Sequence, residues 1–195
     1  MNKNIKTPWY KYYDDVKAHL RYPDISIYEM LKQSVNKHPE YISYNYFGNK
    51  KSYKQFLDKI DECAKALKSL GINPRDRISI CMPNTPEAII SFYAINKIGA
   101  VANMIHPLST ENEIKHFINV SKSRYIIAID IAFNKINHIA KKTGLKKCIL
   151  ASAQNSMPLY LKIGYEVAKG RKIKLEKSNL KIKWNEFIKL GKHYN

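Results

Sequence analysis

Residues 77–107 decide the fold: RISICMPNTPEAIISFYAINKIGAVANMIHP. Ile78, Ile80 and Met82 alternate with Ser79 and Cys81, the period-two pattern of a short strand. The run breaks at Pro83-Asn84. Thr85 is placed to cap a helix, Pro86 suits its first position, and Glu87 suits the positive end of its dipole. Ala88, Ile89, Phe92, Tyr93, Ile95 and Ile98 then recur at helical spacing, and Gly99 suits a left-handed stop. A second apolar run, Val101 to Ile105, ends at His106-Pro107. Strand, helix and strand joined so tightly specify a parallel βαβ unit.

Upstream, Ser26 and Glu29 form a capping box, with Ile25 and Met30 at the staple positions. That helix is expected to run to about Asn36 and to stop before His38-Pro39. Tyr41 to Phe47 alternates, with Ile42, Tyr44 and Tyr46 sharing one face. Gly48-Asn49 is expected to turn the chain back through Lys50 to Ser52 as a hairpin. A second capping box, Ser52 with Gln55, opens a long helix. Its apolar stripe is Phe56, Leu57, Ile60, Cys63, Ala64, Leu67 and Leu70, and Gly71 closes it. Asn73-Pro74-Arg75-Asp76 reads as a type I turn, because type II would want Gly at the third position.

Downstream, Thr110 and Glu113 make a third capping box on a helix that buries Ile114, Phe117 and Ile118. Tyr125 to Ile129 is a wholly apolar strand, as in a parallel sheet covered on both faces. A helix over about Phe133 to Lys142, a stop at Gly144 and a strand from Lys147 to Ala151 follow. Such alternation specifies an α/β fold with a mostly parallel layered sheet, preceded by an N-terminal helix and β-hairpin. Pro158 to Ala168 reads as an amphipathic helix, with a strand also open. Residues 170–183 are dense in lysine, and Trp184, Phe187 and Ile188 suggest a short closing helix.

The 195 residues carry a formal charge of +18, yet only five of the 34 basic side chains are arginine. Base readout and bidentate phosphate grip favour Arg, so the lysines are read as a solvated surface and no nucleic-acid partner is expected. No apolar run approaches a membrane span, and MNKNIKTPWYKYYDD lacks the apolar core of a secretion signal. A cytoplasmic protein is expected. Cys63, Cys81 and Cys148 sit among apolar neighbours and read as small buried hydrophobes. The histidines form no metal-binding pattern. His106 alone follows a strand at the end where α/β sites collect.

Several residues in fixed order carry a resemblance. They are Ser52-Tyr53; Ala64, Leu67 and Leu70-Gly71-Ile72; Asp76-Arg77-Ile78; and Pro83-Asn84 with Pro86-Glu87. Ala94-Ile95, Gly99-Ala100-Val101, Pro107 and Glu113-Ile114 complete the set. From about Ile25 to Asp130 the chain resembles the N-terminal portion of the AMP-forming acyl-CoA synthetases, of the adenylate-forming ligase superfamily, and most of all the fatty-acid–CoA ligases. Two positions depart from the family pattern. Arg75 stands where a Gly-Asp-Arg turn has its glycine, and His106 where an asparagine is usual.

The resemblance implies the first subdomain of an adenylate-forming ligase. The complete enzyme would use ATP and Mg2+ to adenylate a fatty acid, then pass the acyl group to CoA. The partners implied are fatty acid, CoA and the remainder of the ligase chain. Such chemistry needs phosphates cradled by backbone N–H groups with cations nearby. The resembled family supplies these with a Ser/Thr/Gly-rich phosphate loop ending in Lys, an adenine- and ribose-binding motif and a lid lysine. None occurs in these residues; Thr143-Gly144-Leu145-Lys146 is the nearest string. No catalytic, cofactor-binding or metal-binding residue is therefore assigned, and the chain by itself is expected to be inactive. Three regions are expected: an aromatic arm (1–23), the α/β subdomain (24–151) and a lysine-rich connector (152–195) leading toward the phosphate-loop region. Lysines around the apolar positions of 157–183 also suit peripheral contact with the inner face of a membrane. A non-catalytic binding module that keeps the scaffold is the alternative, as is a binder driven by charge alone.

Overall fold

The expected βαβ unit is present in the computed structural model, which describes residues 7–13, 17, 19–169 and 174–194. Strand β3 (Arg77–Cys81) lies parallel to β4 (Val101–Ile105), and helix α3 (Pro86–Lys97) connects them. Thr85 caps α3 by accepting from the Ala88 N–H, with Pro86 in the first turn. Before this unit come α1 (Ile27–Lys37), a hairpin of β1 (Ile42–Tyr46) and β2 (Asn49–Ser52), and α2 (Tyr53–Ser69). After it come α4 (Glu111–Ser121), β5 (Tyr125–Ile129), α5 (Phe133–Ala140), β6 (Lys147–Ala151), α6 (Leu159–Lys169), β7 (Lys181–Lys183) and α7 (Trp184–Leu190). The capping boxes at Ser26, Ser52 and Thr110 all form, each closing two N–H groups that a helix start leaves open.

The five long-range strands make one parallel sheet in the order β4-β3-β5-β6-β7. Helices α1, α2, α3 and α7 pack against one another, while α4 packs on α5. Ile78, Ile80, Ile126, Ile127 and Ile149 are fully buried, as strands covered on both faces must be. The α1–α2–α3 corner is tied by Lys97, 2.5 Å from Asp61 and stacked over the Tyr28 ring, and by the Tyr28 N–H donating to Asn96 at 2.9 Å.

Several local expectations are corrected. Arg75 has φ +69°, so the Asn73–Asp76 turn is left-handed at its third position and cannot be type I. The Arg75 N–H donates to Gly99 O at 2.7 Å, and the Asp76 carboxylate accepts from the Asn73 N–H at 2.8 Å. These bonds hold a conformation that glycine would adopt without strain. The hairpin turns at Phe47-Gly48 rather than Gly48-Asn49, because Asn49 already pairs with Tyr46. Both turn residues have positive φ, the two-residue geometry that matches strand twist. A bulge between Ile42 and Tyr44 breaks the face they were expected to share and leaves Ile42 57 % exposed.

On α3 the buried side chains are Glu87, Ala88, Ile90, Ser91, Ala94 and Ile95, whereas Ile89 is 40 % exposed. Contact with β3, β4, α1 and α2 at once turns a broader, rotated face inward. Phe117, expected inside, is exposed beside buried Ile114 and Ile118. The lysine-dense stretch also holds a strand that period reading passed over. Leu180, Ile182 and Trp184 alternate inward, and Lys181 and Lys183 flank an edge position where charge deters further pairing.

Candidate functional site

In a doubly wound sheet, ligands bind outside the carboxyl ends of strands, where successive connections diverge. Here β3 connects to β4 on one side, and β5 leads away on the other, so the divergence lies between β3 and β5. A cleft of about 450 Å³ opens there, lined by Met82, Pro83, Asn84, His106, Pro107, Leu108 and Ile131. His106, which follows β4 directly as read from the sequence, is exposed and lines it. Its Nδ1 accepts from the Leu108 N–H at 3.3 Å, which fixes the ring in the loop.

A second cleft of about 640 Å³ lies beyond the carboxyl ends of β6 and β7, against the start of α3. The hairpin supplies Tyr44, Asn49 and Lys51, while α2 supplies Lys59, Glu62 and Lys65. Ile90 of α3 and Trp184 and Ile188 of α7 form apolar walls, and Asn155 and Ser156 close the end. Two long-range bonds seat the 152–157 turn on the hairpin: the Tyr46 hydroxyl donates to Ala153 O at 3.1 Å and the Asn49 amide to Ser156 O at 2.8 Å. Glu87 reaches this cleft from the first turn of α3. Burial pushes its carboxyl above the usual carboxylate range, against the opposing pull of the Ser156 hydroxyl bond. Burial, then the Glu87 charge, raises the Tyr44 hydroxyl as well.

The Thr143–Lys146 string lies between α5 and the start of β6, at the amino end of the parallel strands. The structure therefore separates it from His106 by the length of the sheet, and the two do not form one site. Cys63, Cys81 and Cys148 are buried free thiols. Burial raises all three, Cys81 to about 11, so none is a ready nucleophile. Among the described residues, no group of three His, Cys, Asp or Glu is placed to hold a metal ion. Sequence reading gave Glu87 a dipole role and missed its burial. The only signal available was the acidic residue directly after Pro86 in a helix that is apolar on most sides.

The model of the family described as "AMP-binding enzyme" matches residues 31–179. A long-chain-fatty-acid–CoA ligase of Bacillus subtilis (strain 168) is 23% identical over 170 residues, 87% of this chain and 30% of that protein. An acetyl-coenzyme A synthetase 1 of Candida glabrata is 34% identical over 84 residues, 43% of this chain and 12% of its own length. Among solved structures, the coronafacic acid ligase of Pectobacterium brasiliense superposes with TM-score 0.68 at 26% identity, covering 85% of this chain and 29% of that one. A long-chain-fatty-acid-CoA ligase of Archaeoglobus fulgidus shares the fold at TM-score 0.63 and 17% identity, over 70% and 30% of the two chains. This chain thus spans under a third of the length of these relatives. With the family match covering most of its residues and the parallel sheet superposing on ligase structures, the chain belongs to the AMP-binding enzyme family, the adenylate-forming ligases.

Proposed function

We propose that this chain is the leading α/β portion of an ATP-dependent acid–CoA ligase that adenylates a fatty acid and transfers the acyl group to CoA. The family match across 31–179 carries this reading, and the 87% coverage by a long-chain-fatty-acid–CoA ligase supports a fatty acid over other carboxylates. ATP and Mg2+ would be held by parts of the enzyme outside these residues, since no Ser/Thr/Gly-rich phosphate loop occurs among them. No adenylation step is assigned to any residue here. The contribution of this chain is a preorganised scaffold whose strand ends and clefts face the rest of the ligase. The test is carboxylate-dependent ATP–pyrophosphate exchange by a polypeptide joining these residues to the remainder of the Bacillus subtilis ligase. Long-chain acids should stimulate exchange most; stimulation by acetate alone would replace the fatty-acid reading.

No helix among the described residues is long and apolar enough to cross a membrane. Exposed Leu159, Tyr160 and Ile163 on α6 support peripheral contact through 157–183 with an anionic, inner-face membrane surface. The side chains of Val167 and Lys169, and Arg171 and Lys172 entirely, lie outside the described residues. Flotation should recover the protein with anionic but not neutral vesicles; equal recovery removes this part of the reading.

A further inference from the structure

His138 stands between two carboxylates with both of its ring nitrogens occupied. Nδ1 lies 3.0 Å from Glu111 Oε1, on the first turn of α4, and Nε2 lies 2.8 Å from Glu176 Oε1, on the segment leading into β7. An ionised carboxylate only accepts hydrogen bonds, and a neutral imidazole has one N–H to give. Both bonds can therefore form at once only with the imidazolium. The bond to Glu111, then that to Glu176, raises the ring above its ordinary value.

The two carboxylates are not held alike. The Asn137 amide donates to Glu176 Oε2 at 2.6 Å. Asn134 bonds the same segment twice, donating to Lys174 O at 3.0 Å and accepting from the Glu176 N–H at 3.2 Å. Residues 174–176 thus form a strap along α5, and Lys181 donates to Glu176 O at 2.7 Å. Among the described residues, only the His138 ring bonds the Glu111 carboxylate. The other charges on these elements are engaged elsewhere or make no bond to the ring. Glu113 accepts from the Thr110 N–H, Lys135 donates to Ser109 O at 3.2 Å, and His116 lies edge-on to Phe117. Lys115 on α4, Lys141 and Lys142 after α5, and Lys174 and Lys177 on the strap do not act on His138.

We propose that His138 is a proton-operated clasp: doubly protonated it ties the first turn of α4 to the strap, and on losing the Nδ1 proton to solvent it keeps Glu176 and releases Glu111. The neutral ring retains the Nε2 proton because Asn137 anchors that acceptor. The bare Nδ1 then faces an acceptor-only carboxylate, and the two repel. The loop before α4 keeps its Lys135 bond to α5 but loses the tie through Glu111. The clasp is closed in acid and opens as pH rises through the ring's raised folded value.

The 15N-labelled chain is titrated from about pH 5 to pH 9, following the His138 ring nitrogens and the amides of residues 109–113 and 174–176. Both ring nitrogens should carry protons below the transition and Nε2 alone above it. The 109–113 amides should trace the ring's curve, with shifts at least twofold larger than those of 174–176. Glu111→Gln should move the ring's transition to lower pH, and His138→Gln should abolish the transition at 109–113. Asn137→Ala should raise the share of the Nδ1–H tautomer above the transition. A wild-type ring that ends as Nδ1–H, amides at 109–113 that ignore the ring, or a 109–113 transition that survives His138→Gln would each overturn the proposal. The wild-type tautomer and amide curves decide the matter even where a variant fails to fold.

Discussion

Gly191 is the position where one methyl group should cost most. It begins a short 3-10 turn after α7 and is buried against α2. A Cβ built there would lie 2.6 Å from the Ala66 backbone nitrogen and 3.1 Å from both Ala66 Cα and Glu62 O. The first distance is about 0.8 Å short of the 3.4 Å at which ordinary contact begins. The obstacle is helix backbone, which cannot rotate aside, so the turn must back away from α2. That movement would loosen α7, whose Phe187 is fully buried and whose Trp184 walls the larger cleft. Overpacking of this kind costs about 1–3 kcal/mol. With a urea slope of roughly 2 kcal/mol per molar for a small domain, Gly191→Ala should lower the unfolding midpoint by about 0.5–1.5 M. Gly144 is the control, since its Cβ would meet nothing within 4 Å and its φ is not left-handed. Gly144→Ala should be neutral or gain a few tenths of a kcal/mol. Circular dichroism during urea titration measures both. An unchanged midpoint for Gly191→Ala, or equal shifts for the two variants, would refute the proposed docking of the turn on α2.

Arg75→Gly should stabilise the chain by about 0.5–1 kcal/mol, because it relieves a left-handed residue at φ +69° at the cost of some unfolded-state entropy; a loss in the same titration would mean the Arg75 side chain matters more than its backbone. Thr110→Ala should cost about 1 kcal/mol by removing the cap of α4, whereas Asn112→Ala, exposed on the same turn, should change little. His138 lies 3.0 Å from Glu111 by Nδ1 and 2.8 Å from Glu176 by Nε2. These bonds, that to Glu111 first, raise its pKa above the usual 6.5. The stabilisation is therefore complete below that value and is lost as pH rises through the higher folded value. His138→Ala should be less stable than wild type at pH 5.5 and nearly equal to it well above the folded value; a constant gap across pH would show that the ring packs rather than pairs.

What the sequence made legible was local. The three capping boxes depend on residues three apart, and the apolar runs of β5 and β6 fix their own burial, so both could be read without knowing neighbours. The turn at Arg75 could not be read the same way. Its φ is imposed by the bond to Gly99, and residue preference pointed to the opposite geometry. For β7 the alternation of Leu180, Ile182 and Trp184 was present but outweighed by lysines, which suit an edge strand as well as a solvated linker. The place of His106 beside the strand ends was legible because it follows β4 directly, and it lines the smaller cleft. The buried Glu87 was missed because its partner Ser156 lies far along the chain, and the cleft around both is assembled from the hairpin, α2, α3 and α7.

The central claim is that these residues are ligase scaffold and do not themselves hold the adenylation machinery. Fatty-acid-dependent exchange of labelled pyrophosphate into ATP, with Mg2+ present, tests it on the purified 195-residue chain. Removing one electrostatic donor from an active site costs about 2.7–4 kcal/mol of barrier, and no Ser/Thr/Gly-rich phosphate loop occurs among these residues. The account predicts exchange indistinguishable from the enzyme-free background at every acyl chain length. Exchange above that background, abolished by unfolding the chain, would contradict it and would place a nucleotide site among residues read here as scaffold.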